Sequence, residues 1–73
     1  MLDLKPGDLV ILTNAPSSLL QGLPKKDQRA IRSIVGQPVT FAGISYGQAE
    51  LEFTDSRGDG HTIWVESDLI RPA

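Results

Sequence analysis

Polar and apolar residues alternate one for one along Gln48-Ala-Glu-Leu-Glu-Phe-Thr-Asp55, and a second strand-like run, His61-Thr-Ile-Trp-Val65, follows the polar loop Ser56-Arg-Gly-Asp-Gly60. Alternation with period two marks a half-buried strand, so this third of the chain reads as a β-hairpin closed by a turn at Glu66-Ser-Asp68. Parity assigns the faces. Ala49, Leu51 and Phe53 point inward, while Glu50, Glu52 and Thr54 point to water. In the partner strand Ile63 and Val65 go inward with His61 on the same side, and Thr62 and Trp64 go outward.

Upstream the pattern changes. Pro6-Gly7-Asp8 is a turn leading into a first strand, Leu9 to Thr13, whose nearly continuous apolar run predicts burial on both faces. Asn14 to Ser18 breaks it. Leu19 and Leu20 are too few for an element of their own but suit a plug for the mouth of a small barrel. Pro24 suits the first position of a helix, where a missing N–H costs nothing. From Lys25 to Val35 the apolar residues Ala30, Ile31, Ile34 and Val35 form one stripe, with Lys25, Arg29 and Arg32 near the other side. Gly36 ends the helix. Strand two then runs from about Pro38 to Ser45 and strand three from about Ala49 to Thr54, with Tyr46-Gly47-Gln48 as the hairpin connection. After the fourth strand, Glu66 to Leu69 forms a single helical turn and Ile70-Arg71 a short closing strand. The expected fold is mainly β: five strands, with one short α-helix at about 25–35 inserted between strands 1 and 2.

At 73 residues the chain has room for one domain, residues 1–73, and buries on the order of 60% of its unfolded surface. It has no Cys, so neither disulfides nor thiolate metal sites reinforce it. The segment Met1 to Gly7 carries no apolar stretch behind a basic end, and Leu9-Val-Ile-Leu12 is far too short to span a bilayer. The expectation is a cytoplasmic protein with no membrane role.

The formal charge is −2, the wrong sign for a general nucleic-acid binder. Its distribution is uneven. Residues 1–36 carry Lys5, Lys25, Lys26, Arg29 and Arg32 against three Asp, whereas residues 37–73 carry six acids against Arg57 and Arg71. Opposite signs on different elements can orient a partner or a second copy of the chain, or simply keep two faces solvated.

The order of elements resembles a Src-homology-3-like (SH3-like) small β-barrel over most of the chain. The likeness is carried by Lys5-Pro-Gly-Asp-Leu-Val10, by the paired strands Val39 to Ile44 and Ala49 to Thr54, and by Ile63-Trp-Val-Glu-Ser-Asp-Leu-Ile70. The stretch Asn14 to Gln37 departs from it, placing a helix where such barrels have an irregular loop. Proteins of this fold include peptide-binding adaptors, ribosome- and transcription-associated domains, chromatin readers and an oligomeric reductase, so the resemblance implies a fold and leaves function open.

Trp64 is the leading candidate for chemistry. As an outward aromatic it is an anchor for a partner, unless the insertion from Gly22 to Val35 packs over it and makes it core. Glu50 and Glu52 share its face and read as solvated strand residues more readily than as an acid/base pair. His61 stands alone, with too few ligands nearby in sequence for a metal. Ser17 and Ser18 lack the glycine framing of a nucleophile elbow. No phosphate-binding glycine loop is present, and no cofactor is expected. Arg57-Gly58-Asp59 matches a tripeptide recognised by adhesion receptors but reads as turn chemistry, with Gly58 and Gly60 allowing positive φ.

The expected function is therefore a small non-catalytic module that binds an unidentified protein, including a second copy of itself, through the outer face formed by Trp64, Thr62, Glu52, Glu50 and Tyr46. One alternative is nucleic-acid binding by the basic helix face of Lys25, Lys26, Arg29 and Arg32. Another is an oligomeric enzyme of the barrel-fold reductase type, against which stands that the Val-Gln-Ile-Tyr strand lining that enzyme's pore has no match here, the nearest segment being Thr62-Ile-Trp-Val65.

Overall fold

The computed structural model describes residues 3–73; Met1 and Leu2, the first two positions of the segment read for export signals, lie outside them. Five antiparallel strands form one sheet in the order β4-β3-β2-β1-β5. They are β1 (Leu9–Leu12), β2 (Pro38–Ser45), β3 (Gln48–Thr54), β4 (Gly60–Val65) and β5 (Ile70–Pro72). Two helices, α1 (Ser17–Leu20) and α2 (Lys25–Ile34), lie between β1 and β2, and a single 3-10 turn, Ser67–Leu69, joins β4 to β5. The sheet is not closed: β4 and β5 are its two edges, and no ladder joins them.

The inward parity of β3 and β4 holds residue for residue. Ala49, Leu51, Phe53, Ile63 and Val65 are buried together with Val10, Leu12, Val39, Phe41 and Ile70. α2 closes this core from outside the sheet by burying Ala30, Ile31 and Ile34, the stripe its periodicity defines. Pro24 is the residue before the helix rather than its first member, and its carbonyl accepts from the N–H groups of Asp27 and Gln28. The helix ends at Ile34, one residue short of the sequence expectation.

Three expectations need correction. β1 is not buried on both faces: Val10 and Leu12 are buried, Ile11 is half-buried and Leu9 is 53% exposed. The outer face over β1 is covered only in part, leaving Leu9 in water and Ile11 half-covered, and the continuous apolar run hid that asymmetry. The segment 17–20 forms a turn of helix, in which Leu20 is buried and Leu19 packs against the core. Gly60 does not take positive φ; it is the extended first residue of β4, whereas Gly58 does (φ 86°).

The β2–β3 connection is shorter than its sequence implies. Gln48 already pairs with Ser45, leaving Tyr46 and Gly47 as a two-residue loop. Both have positive φ, 51° and 77°, the type I′ combination that matches the twist of the flanking strands. A register shift between Phe41 and Gly43 marks a bulge in β2.

Candidate functional site

Cross-strand pairing assembles the outer face. Glu50 faces Trp64, and Glu52 faces Thr62, across the β3–β4 ladder. The row continues through Glu52–Thr40 and Thr40–Leu9 into β2 and β1. Four of the five residues expected at the site, Glu50, Glu52, Thr62 and Trp64, are thus brought together. Tyr46 is not among them. It stands at the tip of the β2–β3 hairpin, 101% exposed.

Trp64 is 45% exposed. Its indole N–H donates to Glu50 Oε1 at 3.2 Å, so the ring is tethered and its polar atom already satisfied. The segment that approaches it is α1 and its lead-in, not α2. Pro16, Ser18 and Leu19 border a notch of about 310 Å³ with Trp64, Gln48 and Glu66. Gln48 Nε2 donates to Glu66 Oε1 at 3.3 Å on the far wall. On the other side of Thr62 a broader groove of about 780 Å³ runs past Leu9, Pro38, Thr40, Glu52 and Thr54.

A second constellation sits on the opposite side of the β3–β4 hairpin. Residues 56–58 form a three-residue loop closed by Asp55 and Asp59: the Gly58 N–H donates to the Asp55 carbonyl (3.0 Å), and the Asp55 N–H to the Asp59 carbonyl (2.9 Å). This is a type I turn followed by a glycine bulge. Asp55 organises it with its side chain. Oδ1 accepts from the N–H groups of Arg57 (2.8 Å) and Asp59 (3.0 Å), and Oδ2 lies 2.8 Å from His61 Nε2. The bond from His61, with the two backbone N–H groups, holds the Asp55 carboxyl below its usual value. His61 stacks on Phe53, centroids 5.0 Å apart, and its Nδ1 lies 3.9 Å from Asp27 Oδ1 on α2. The imidazole therefore bridges the hairpin and the inserted helix.

Sequence reasoning missed this cluster. Asp27 is far away in sequence, and no local pattern links it to His61. Asp55 was legible: an Asp three residues before a Gly is a type I turn signature. Among the described residues no group of three or more His, Cys, Asp or Glu is placed to hold a metal ion.

Lys26 and Arg29 line a cleft of about 360 Å³ together with Arg57, but also with Asp27, Asp55 and Asp59. Arg32 lines a different hollow, with Ser17, Leu20 and Gln28. Among the described residues no helix is long and apolar enough to cross a membrane. Comparison of the chain with protein-family models, with curated proteins and with solved structures finds no match.

Proposed function

We propose that this chain is a small barrel of the Src-homology-3-like type, working in the cytoplasm as a non-catalytic module that docks another protein on the outer face around Trp64. The meander β1-β2-β3-β4, the 3-10 turn after β4 and the return of β5 to β1 support the barrel assignment. The observation that carries the functional reading is Trp64 itself. A large apolar side chain stays nearly half in water, beside the notch bordered by Pro16 and Leu19, with its one polar atom paired to Glu50. Docking onto it removes apolar surface from water without stranding an unpaired donor, which is the energetic profile of an interface anchor. The mixed charges around Lys26 and Arg29 favour this reading over polyanion binding.

The test is a photo-crosslinking residue at position 62 in native cell extract. A discrete protein is captured by the chain and lost in Trp64→Ala, while the melting temperature of Trp64→Ala stays within a few degrees of the parent. Capture that persists in a folded Trp64→Ala variant, or a Trp64→Ala chain that does not fold, overturns the proposal.

A further inference from the structure

The two edges of the sheet are built differently. β5 has three residues, of which Pro72 has no N–H to offer and Arg71 is charged. Short length, proline and charge are the usual devices that stop an edge from pairing further. β4 has none of them: Gly60-His-Thr-Ile-Trp-Val65 is twice as long, contains no Pro, Lys, Arg, Asp or Glu, and pairs with β3 without a bulge.

Its free hydrogen-bonding groups can be assigned. The Asp55 N–H to Asp59 carbonyl bond fixes residues 55 and 59 as a bonded pair. Alternation along the antiparallel ladder then makes Phe53–His61, Leu51–Ile63 and Ala49–Val65 the bonded pairs. Gly60, Thr62 and Trp64 are left with N–H and C=O directed away from β3, and among the described residues no hydrogen bond reaches them from backbone or side chain. All three are exposed.

We infer that β4 pairs antiparallel with β4 of a second copy of this chain, about a two-fold axis at Thr62. An antiparallel edge is self-complementary under a two-fold, so one patch serves both copies. This register sets Thr62 opposite Thr62, a favourable cross-strand pair, and makes about six hydrogen bonds between copies. It also sets each Trp64 opposite the second copy's Gly60. That position has no side chain, so the indole lies over bare backbone, an arrangement that stabilises glycine in strands. The seam carries no charged side chain. Arg57, which makes no ion pair among the described residues, is brought towards the end of β4 where the second copy's Glu66 lies. The inference deepens the reading above and rests on it in one respect, that Trp64 belongs to an interface.

Thr62→Cys tests the register. Facing residues of a bonded pair have Cα atoms about 5.5 Å apart, within reach of a disulfide, whereas two Glu52 positions are about 14 Å apart across three strand spacings. Under mild oxidation with glutathione, Thr62→Cys gives a covalent dimer and Glu52→Cys remains a monomer. Light scattering over a rising concentration series shows the 7.9 kDa mass doubling. Thr62→Lys, which sets two like charges face to face on an exposed position, returns the single mass with an unchanged circular dichroism spectrum. A single mass up to millimolar concentration, a doubled mass that Thr62→Lys leaves intact, or equal cross-linking of the two Cys variants overturns the pairing. A monomer that still captures a protein through Trp64 overturns the pairing alone. A dimer that captures nothing but itself upholds it and overturns the search for a different partner.

Discussion

Asp55 Oδ2 and His61 Nε2 stand 2.8 Å apart across the mouth of the β3–β4 hairpin, while Asp55 Oδ1 gathers two backbone N–H groups of the loop. One carboxylate therefore sets the loop conformation and the orientation of the ring that reaches α2. Asp55→Ala removes the carboxylate behind all three hydrogen bonds and lowers the melting temperature, with the amide signals of Arg57 and Asp59 moving most in NMR spectra. Asp55→Asn keeps an acceptor oxygen and loses less. The pH dependence follows from the lowered carboxyl. Because the folded state favours the charged form, its contribution is fully present above the ordinary Asp value of about 3.9 and is lost as the pH falls through the lower folded value. Melting curves at pH 6 and pH 3 show a smaller acid-induced drop for Asp55→Asn than for the parent. Equal drops show that the carboxylate contributes nothing.

Whether the insertion belongs to the core or rides on it is decided by Ile31, which is almost completely buried on α2 among sheet residues. Ile31→Ala costs about 3 kcal/mol in urea denaturation, a large share of the roughly 4–11 kcal/mol expected for a chain of this length. Arg32→Ala, one residue on and exposed, costs under about 0.5 kcal/mol. A single transition that shifts for Ile31→Ala, followed by both helical and Trp signals, shows helix and sheet melting together.

The strands, their parity and the helical stripe were legible because each bears a period that survives burial: two for β3 and β4, 3.6 for α2. The outward placement of Trp64 followed from parity alone. What escaped was everything set by partners distant in sequence. The exposure of Leu9 depends on how much of the outer face of β1 is covered, and the turn of helix at Ser17–Leu20 is too short for a period to register. Sequence alone leaves Trp64 between interface and core, because either depends on where the insertion goes. α2 goes to the core and to His61, while Pro16, Ser18 and Leu19 border the notch at the indole. The Asp27–His61 approach joins elements 34 positions apart, beyond any local rule.

Tyr46 holds φ at 51° with its side chain wholly in water. A residue with a Cβ is disfavoured there by about 1 kcal/mol, and no packing offsets it. Asn tolerates this conformation and is the preferred residue at the first loop position of a type I′ hairpin. Tyr46→Asn therefore raises stability by about 0.5–1 kcal/mol in denaturant titration. No gain, or a loss, shows that the tyrosine ring contributes contacts in solution that offset its backbone strain.

Glu50 tethers Trp64 from the neighbouring strand, and the two form a cross-strand pair on an exposed face. Such a bond contributes little to global stability, because water competes for both partners. Its effect is to restrict the ring. Glu50→Gln retains an oxygen that accepts from the indole and leaves Trp64 emission as in the parent. Glu50→Ala frees the ring: stability changes by less than about 1 kcal/mol, while acrylamide quenches Trp64 more strongly and fluorescence anisotropy decays faster. Binding of any partner that anchors on Trp64 weakens in Glu50→Ala, because a mobile indole loses more conformational freedom on docking than a fixed one. Unchanged quenching and anisotropy in Glu50→Ala place the restraint on Trp64 elsewhere, on the notch walls formed by Pro16 and Leu19.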